Sequence, residues 1–294
     1  MTDLRALLQP RSIAVVGASE EPGRGRNVLA NLRLTGFDGP LVPVNPKYDN
    51  VAGLPCLPDL SRLPHPVDLA VLAIPAGAAA PALRKMSPGA VGAAVVLSAG
   101  FGESGEPGRA LEGEVVSVAK EMGIRVCGPN CLGLMNVQGK VAAYSASLKG
   151  PPRAGGIGVV SQSGTLCIGF INARSDLGFS YVISTGNEAD VTIDEYVRFL
   201  VNDPQTDSIA LFLEGVRSPQ GFLAALDLAR VAGKPVVVLK AGRSSAGRRA
   251  TLAHTGSLSG AERVFRGLFE QKGVIQVSDM DEQLATLSLL SQGR

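Results

Sequence analysis

The sequence has little charge, no long apolar run and no signal-peptide pattern. Charged residues make up 18% of the 294 positions and the formal net charge is +2. Because no basic block is interleaved with aromatic residues, a nucleic-acid surface is not expected. The most apolar run, residues 69–83, is too short to span a bilayer and contains Pro75 and Pro81. The amino terminus has neither a charged region followed by an apolar core nor a cleavage site. We therefore expect a cytoplasmic protein that binds neither membrane nor nucleic acid.

Cysteine and histidine are also scarce. The four cysteines show neither a CxxC pair nor a zinc-type spacing, which favours free buried thiols in a reducing compartment over a disulfide or a metal site. They are Cys56, Cys127, Cys131 and Cys167. Of the two histidines, His65 lies between two prolines and is expected in a surface turn. No metal-binding cluster is predicted.

What the chain does have is the composition of a packed globular protein. Hydrophobic residues make up 45%, and 36 glycines exceed 19 prolines, which indicates many tight connections rather than disorder. The length allows two domains. In residues 1–130, near-continuous apolar strands alternate with helical stretches at about 78–86 and 107–122, the pattern of a parallel sheet covered on both faces. We predict a doubly wound, Rossmann-like first domain.

A second series of alternating strands and helices follows a break in the pattern. Residues 131–156 lose periodicity and collect Gly, Ser, Pro and Lys, which predicts a linker. Strands and helices then alternate from residue 157 to the final helix, predicted from Asp281. The fold class is therefore α/β in both halves, and residues 157–294 are predicted to form a second open parallel sheet of flavodoxin-like type.

The turn after the first strand, residues 17–27, suits a phosphate. Gly17, Gly23 and Gly25 would let a ligand approach backbone amides, and Arg24 and Arg26 add positive charge. The spacing is not GxGxxG, and the second strand ends in Asn45-Pro46-Lys47 rather than in a ribose-binding acid, which argues against a nicotinamide dehydrogenase. Either a phosphate-rich ligand or a purely structural turn fits.

The stretch SQSGTL, residues 161–166, joins a strand directly to a helix. Ser161, Ser163 and Thr165 surround Gly164 at the predicted helix amino terminus, where hydroxyls and N–H groups could bind a phosphoryl group. The same residues could be an ordinary helix cap. The sequence lacks the GxSxG of a serine hydrolase elbow.

His254 lies in the decapeptide TLAHTGSLSG, residues 251–260, after a stretch rich in Gly, Ser and Arg. The composition leaves open whether it reacts or is a solvated loop residue. Arg243, Arg248 and Arg249 could attract phosphate or form a solvated basic run. Glu214 and Glu188 end predicted strands and could orient an imidazole, although either could be a strand-terminal charge.

Taken in order, these turns resemble the nucleoside-diphosphate-forming acyl-CoA synthetases, which include the ADP-forming acetyl-CoA synthetases and the α subunit of succinyl-CoA synthetase. The resemblance runs essentially end to end and is carried by SIAVVGAS, NLRLTGFDGPLVPVNPK, SAGFGESGEPG, GPNCLGLMN, SQSGTL, STGNEADV, LEGVRSP and AHTGSLSG. GNEADV and HTGSL are closer to the ADP-forming synthetases.

The resemblance implies a CoA-binding first domain and a ligase second domain that acts through an acyl phosphate and a phosphorylated histidine. It makes His254 the phosphoryl carrier, Glu214 the carboxylate that holds it, and the SQSGTL helix start the phosphate site. Cys131 would lie near the CoA thiol, or be a buried structural thiol. The CoA-binding residues it implies are Gly17, Ala18, Ser19, Gly23, Gly25, Arg26, Asn27, Asn45, Pro46, Lys47, Ile74, Pro75, Ser98, Ala99, Gly100, Phe101 and Asn130.

One family feature is missing from the 294 residues. The family phosphorylates its histidine with ATP bound, with Mg²⁺, on an ATP-grasp domain, and nothing in this sequence resembles one. The chain is then either an α subunit that needs a separate β subunit or the front part of a longer polypeptide, and we expect an oligomer. A CoA-binding regulatory or scaffold protein without turnover is the alternative. The sequence does not identify the acid.

Overall fold

The computed structural model describes residues 3–173, 176–242 and 262–292. The chain divides into two compact units. Unit 1 consists of Met1–Pro151 and Gly186–Val191, and unit 2 consists of Pro152–Thr185 and Thr192–Arg294. The predicted domain limits of 1–130, 131–156 and 157–294 stay a prediction; the sequence pattern did not indicate that residues 186–191 belong with unit 1.

Unit 1 is built around a five-stranded parallel sheet in the order β2-β1-β5-β6-β7. The inner strands are buried on both faces, since all four residues of β1 are inaccessible or nearly so. The strands are β1 (Ile13–Val16), β2 (Leu41–Val44), β5 (Val67–Leu72), β6 (Val91–Val96) and β7 (Arg125–Cys127). The helices are α1 (Arg5–Leu8), α2 (Arg24–Leu34), α3 (Ala76–Arg84) and α4 (Glu106–Met122). This confirms the predicted open parallel α/β fold of the first half.

Unit 1 also contains two antiparallel strand pairs. One is the hairpin of β3 (Asn50–Val51) and β4 (Leu54–Pro55). The other pairs β8 (Gly133–Asn136) with β9 (Val141–Tyr144), so that Gly133 lies opposite Tyr144. Both strands of the second pair fall in the stretch expected to be a linker. Each has four residues, too few for a periodic pattern to stand out among the surrounding glycines and serines.

Among its described residues, unit 2 has five parallel strands in the order β14-β13-β12-β10-β11. They are β10 (Ala154–Ser161), β11 (Phe179–Ser184), β12 (Ser208–Leu213), β13 (Val236–Lys240) and β14 (Ile275–Val277). The helices are α5 (Gly164–Ala173), α6 (Ile193–Asn202), α7 (Pro219–Val231), α8 (Glu262–Lys272) and α9 (Met280–Gln292). The second open parallel sheet is thus also confirmed. In the part of the chain that the structure describes, no helix combines the length and apolarity needed to span a bilayer.

Candidate functional site

A cavity of about 630 Å³ opens at the carboxyl end of the unit 1 sheet. It lies between β1 and β5, whose following connections lead to opposite sides of the sheet, to β2 after β1 and to β6 after β5, and this is where open α/β sheets bind ligands. The volume falls in the range of small-molecule sites. The predicted residues that line it are Gly17, Ser19, Asn45, Pro46, Lys47, Ile74 and Pro75.

The glycines of the first turn differ in what they do. A Cβ at Gly17 would lie 2.5 Å from the Ala73 carbonyl oxygen, and Gly17 has a φ of +85°. A Cβ at Gly25 would lie 2.1 Å from the carbonyl oxygen of Gly17. At Gly23 the nearest atom would be 4.0 Å away. Gly25 therefore permits close packing of α2 on the end of β1, Gly17 permits close approach of the turn after β5, and Gly23 leaves open space.

Asn45 fixes the turns after β1 and β2 relative to each other. Its Nδ2 donates to the Ala18 carbonyl oxygen at 2.7 Å, and its Oδ1 accepts from the Lys47 backbone N–H at 3.1 Å. The hydroxyls of Ser19 and Tyr48 lie 3.4 Å apart. These contacts hold one wall of the cavity in a defined shape.

Two helices begin near the cavity without caps: Pro75 and Ala78 at the start of α3 line it, and the start of α2 packs through Gly25 on Gly17. α2 follows Gly23 and α3 follows Pro75; neither has a side-chain cap bond or an acidic residue in its first turn. By contrast, α4 and α6 begin with acids, Glu106 in one and Asp194 with Glu195 in the other. Free N–H groups and the positive ends of two helix dipoles make this edge of unit 1 suited to an anion.

The rest of the cavity lining consists of apolar residues and a few charged residues. Its apolar residues include Val16, Val44, Leu60, Ala78 and Ala82. The charged ones are Glu21, Lys47, Asp59 and Lys85. Sequence reasoning missed Tyr48, Asp59 and Lys85. Tyr48 directly follows the predicted Asn45-Pro46-Lys47 turn. Lys85 follows Pro75, Ala78 and Ala82 at helical spacing, so that the sequence places all four on one face of α3, and this spacing could have predicted Lys85.

The remaining residues predicted in the first turn do not line this cavity. Ala18 is buried, and Gly23 and Arg26 are exposed. Asn27 donates its side-chain amide to the Ser145 carbonyl oxygen at 2.8 Å, which ties α2 to the chain after β9. Asn27 thus has a structural contact that its predicted role did not anticipate.

The turns after β6 and β7 form a second group at the same edge of unit 1. The Asn130 backbone N–H donates to the Ser98 carbonyl oxygen at 2.9 Å. The Ser98 Oγ is buried and has no hydrogen-bond partner in the described chain. Ala99 is exposed and Phe101 is fully buried. Cys131, also buried, places its thiol 3.4 Å from the Val96 carbonyl oxygen.

Two carboxylates and one amide hold this second group. Glu103 Oε1 accepts from the backbone N–H groups of Gly100 at 2.6 Å and Phe101 at 3.2 Å. Asn187 Nδ2 donates to Glu103 Oε2 at 2.6 Å and to Glu112 Oε2 at 2.8 Å. Burial raises the pKa of Glu103, but the hydrogen bonds from Asn187 and the backbone outweigh burial and hold that pKa below its ordinary value of 4.5. The backbone N–H of Gly100 therefore already has a hydrogen-bond acceptor within the protein.

In unit 2, the predicted phosphate turn and Glu214 lie at the same edge of the sheet. Ser161 Oγ donates to the Ser163 carbonyl oxygen at 2.7 Å and accepts from the Ser163 N–H at 3.1 Å. Gln162 Oε1 accepts from the backbone N–H of Glu214 at 2.5 Å. Gln162, which sequence reasoning passed over, thus joins the two turns. Gly164 begins α5, and Thr165 is exposed.

A buried lysine completes this edge. Lys240 Nζ donates to the carbonyl oxygens of Glu214 at 3.0 Å and Ala241 at 2.7 Å, and it lies 5.1 Å from the centre of the Phe265 ring. Lys240 is 3% exposed and Glu214 is 8% exposed. The edge therefore combines a buried cation, a buried carboxylate and a hydroxyl-rich helix start.

The predicted phosphoryl carrier lies outside the described residues. His254 belongs to the segment 243–261, as do Arg243, Arg248 and Arg249. His65 is exposed, as expected for a turn, and Glu188 is buried in unit 1. Within residues 3–173, 176–242 and 262–292, no cluster of three His, Cys, Asp or Glu side chains suits a metal ion.

Family models match both units. A CoA binding domain matches residues 11–137, and a succinyl-CoA ligase like flavodoxin domain matches residues 154–290. The fold and these matches define the class of this chain, which is a CoA binding domain followed by a succinyl-CoA ligase like flavodoxin domain.

Relatives and a solved structure agree with this class. ADP-forming acetate–CoA ligase I of Archaeoglobus fulgidus is 39% identical over 283 residues, which cover 95% of this chain and 40% of that protein. The α subunit of ADP-forming acetate–CoA ligase II of Pyrococcus furiosus is 35% identical, with 96% of this chain and 62% of that one covered. The dinucleotide-forming acetyl-coenzyme A synthetase 1 of Ca. Korarchaeum cryptofilum, solved with phosphate and ADP, has a TM-score of 0.92 and 34% identity, and the match covers 99% of this chain and 63% of that one.

The chain thus carries a CoA binding domain and a succinyl-CoA ligase like flavodoxin domain, and it is similar to ADP-forming acetate–CoA ligases. It spans between two fifths and about three fifths of the length of these relatives.

Proposed function

We propose that this chain is the CoA-binding and phosphoryl-carrying part of an ADP-forming acyl-CoA synthetase. The observation that carries the proposal is the cavity of unit 1, where two uncapped helix amino termini meet turns predicted to bind CoA. The diphosphate of CoA would bind at the free N–H groups of α2 and α3. The apolar wall, which includes Val16, Val44 and Leu60, would hold the adenosine.

The turns after β6 and β7 would contact the remaining length of CoA. The Ser98 hydroxyl is buried and lacks a partner in the described chain, so an amide of the pantetheine arm could satisfy it. Glu103 and Asn187 would keep the turn of Ser98, Ala99, Gly100 and Phe101 in place. Asn130 would contact CoA beside this turn.

In unit 2, we assign His254 as the group that carries the phosphoryl. Its imidazole nitrogen would take the γ-phosphoryl of ATP, with release of ADP, and pass it to the carboxylate of the acid. The CoA thiolate would then attack the carbonyl carbon of the acyl phosphate, and inorganic phosphate would leave. Glu214 would hold the imidazole, and the start of α5 at Ser163, Gly164 and Thr165 would bind the phosphoryl oxygens.

ATP and Mg²⁺ would bind on an ATP-grasp subunit or domain that these 294 residues do not include. The relatives support this division, because the chain matches only part of each. They also favour a ligase over a regulatory or scaffold protein, since those named above are ligases or synthetases. The acid would be a small carboxylic acid.

Phosphoryl transfer can be tested with the two histidines as a matched pair. The chain is incubated with γ-labelled ATP and a purified ATP-grasp partner, and acid-labile, base-stable label is counted. His65→Ala should keep the label and His254→Ala should lose it. Label that survives His254→Ala would overturn the assignment of His254. CoA binding without any label, with every partner supplied, would instead support the regulatory protein.

A further inference from the structure

Lys85 and Asp59 form a loose ion pair on the rim of the unit 1 cavity. Lys85 Nζ lies 3.4 Å from Asp59 Oδ2, and the two side chains are 59% and 30% exposed. Both residues line the cavity. An exposed pair at this distance adds little to stability, so its separation costs little.

Asp59 has other partners that keep it in place. Its Oδ1 accepts from the Ser61 backbone N–H at 3.0 Å and from the Ser61 Oγ at 2.6 Å, where it caps the 3-10 helix Leu60–Arg62. Removing Lys85 from Oδ2 leaves these bonds intact. Lys85 can therefore turn to an anion in the cavity without stranding its present partner.

The position of Lys85 on α3 separates it from the anion site at the helix start. Pro75 precedes the first turn and Lys85 follows the last, and the ten steps along the helix from Pro75 to Lys85 span about 15 Å. Pro75, Ala78, Ala82 and Lys85 share the face that lines the cavity. One phosphate at the amino terminus of α3 and one at Lys85 are then two different phosphates.

We propose that Lys85 is a specificity-determining residue that binds the 3′-phosphate of CoA, and that Asp59 competes with this phosphate for the lysine. The proposal rests on the proposed function, because it takes CoA as the ligand of the cavity. The diphosphate bears one charge on each phosphate and suits backbone N–H groups. The 3′-phosphate is a monoester with nearly two charges, and a flexible ammonium on the rim is the better match.

Calorimetric titration with CoA and with 3′-dephospho-CoA tests this assignment. Wild type should bind CoA at least about tenfold more tightly than 3′-dephospho-CoA, because a charge-assisted bond is worth about that factor. Lys85→Met should lose about tenfold for CoA and less than about twofold for 3′-dephospho-CoA. Asp59→Asn should strengthen binding of CoA alone, since the amide removes the competing charge and can still accept from Ser61. Lys120→Met, on an exposed position of α4 outside the cavity, should change neither affinity.

Failure of the Lys85 assignment and failure of the proposed function give different binding results. If Lys85→Met weakens both ligands equally or neither, or if wild type binds the two ligands equally, the role of Lys85 is wrong and CoA binding still stands. If wild type binds neither ligand, the proposed function itself fails.

Discussion

The Cβ that an alanine would add at Gly25 lies 2.1 Å from the carbonyl oxygen of Gly17. No side chain fits there, because the neighbouring atom belongs to the backbone. The first turn of α2 thus packs directly on the end of β1, and this contact positions the turn that lines the cavity.

Gly25→Ala and Gly23→Ala form a matched pair that tests this packing. Gly25→Ala should destabilise unit 1 by about 3 kcal/mol or more, since the backbone must move. Gly23→Ala should change stability by less than about 1 kcal/mol, because its Cβ would meet open space. Hydrogen exchange of the β1 and β5 amides measures both. Equal effects of the two substitutions would mean that the close packing has no energetic weight.

Asn187 links parts of unit 1 that are far apart in sequence, since its amide reaches both Glu103 and Glu112. Asn187→Ala should lower the protection of β6 and β7 amides by about 1–3 kcal/mol, because two carboxylates lose a shared donor. Asn187→Asp should lower the protection of these amides further at pH 7, because it places a third carboxylate beside the other two. Part of the protection should return in acid, where this third carboxylate loses its charge. Asn50→Ala, an exposed asparagine of β3, is the control. Protection unchanged in Asn187→Ala would contradict the structural role.

The pKa of Glu103 predicts a pH dependence. Because that pKa is lowered in the folded state, its contribution to stability is full above the ordinary value of 4.5 and is lost as pH falls through the lower, folded value. Wild type should exceed Glu103→Gln in stability at pH 7, and the difference should shrink below about pH 4.5. Amide exchange of Gly100 and Phe101 across this range is the measurement. A difference that stayed constant with pH would show that the charge of Glu103 contributes nothing.

The sequence predicted the features that depend on local pattern. Apolar runs gave the parallel strands, the turn after the first strand gave Gly17, and the family resemblance gave Asn45, Lys47, Ile74 and their neighbours, all of which line the cavity. This worked because the carboxyl ends of parallel strands meet at one edge whatever the details of packing.

The features that escaped prediction depend on contacts between distant positions. Glu103 and Asn187 are 84 residues apart, and neither position has a local pattern that shows the pairing. Lys85 and Asp59 meet only because α3 runs along the cavity toward the segment after β4. The unequal roles of Gly23 and Gly25 likewise depend on which atoms face each glycine after folding.

The central claim is that CoA binds in the cavity of unit 1, and a charge placed in the first turn of α3 tests it most directly. Ala78 lines the cavity, whereas Gly77, its neighbour in the same turn, is exposed and does not line it. An acid in this turn favours the helix in either variant, so folding should survive.

Calorimetry with CoA on wild type, Ala78→Glu and Gly77→Glu is the decisive measurement. We predict that Ala78→Glu weakens CoA binding by about 100-fold or more, because a carboxylate meets the diphosphate, and that Gly77→Glu weakens it by no more than a few-fold. Wild-type affinity in a folded Ala78→Glu variant would contradict the account.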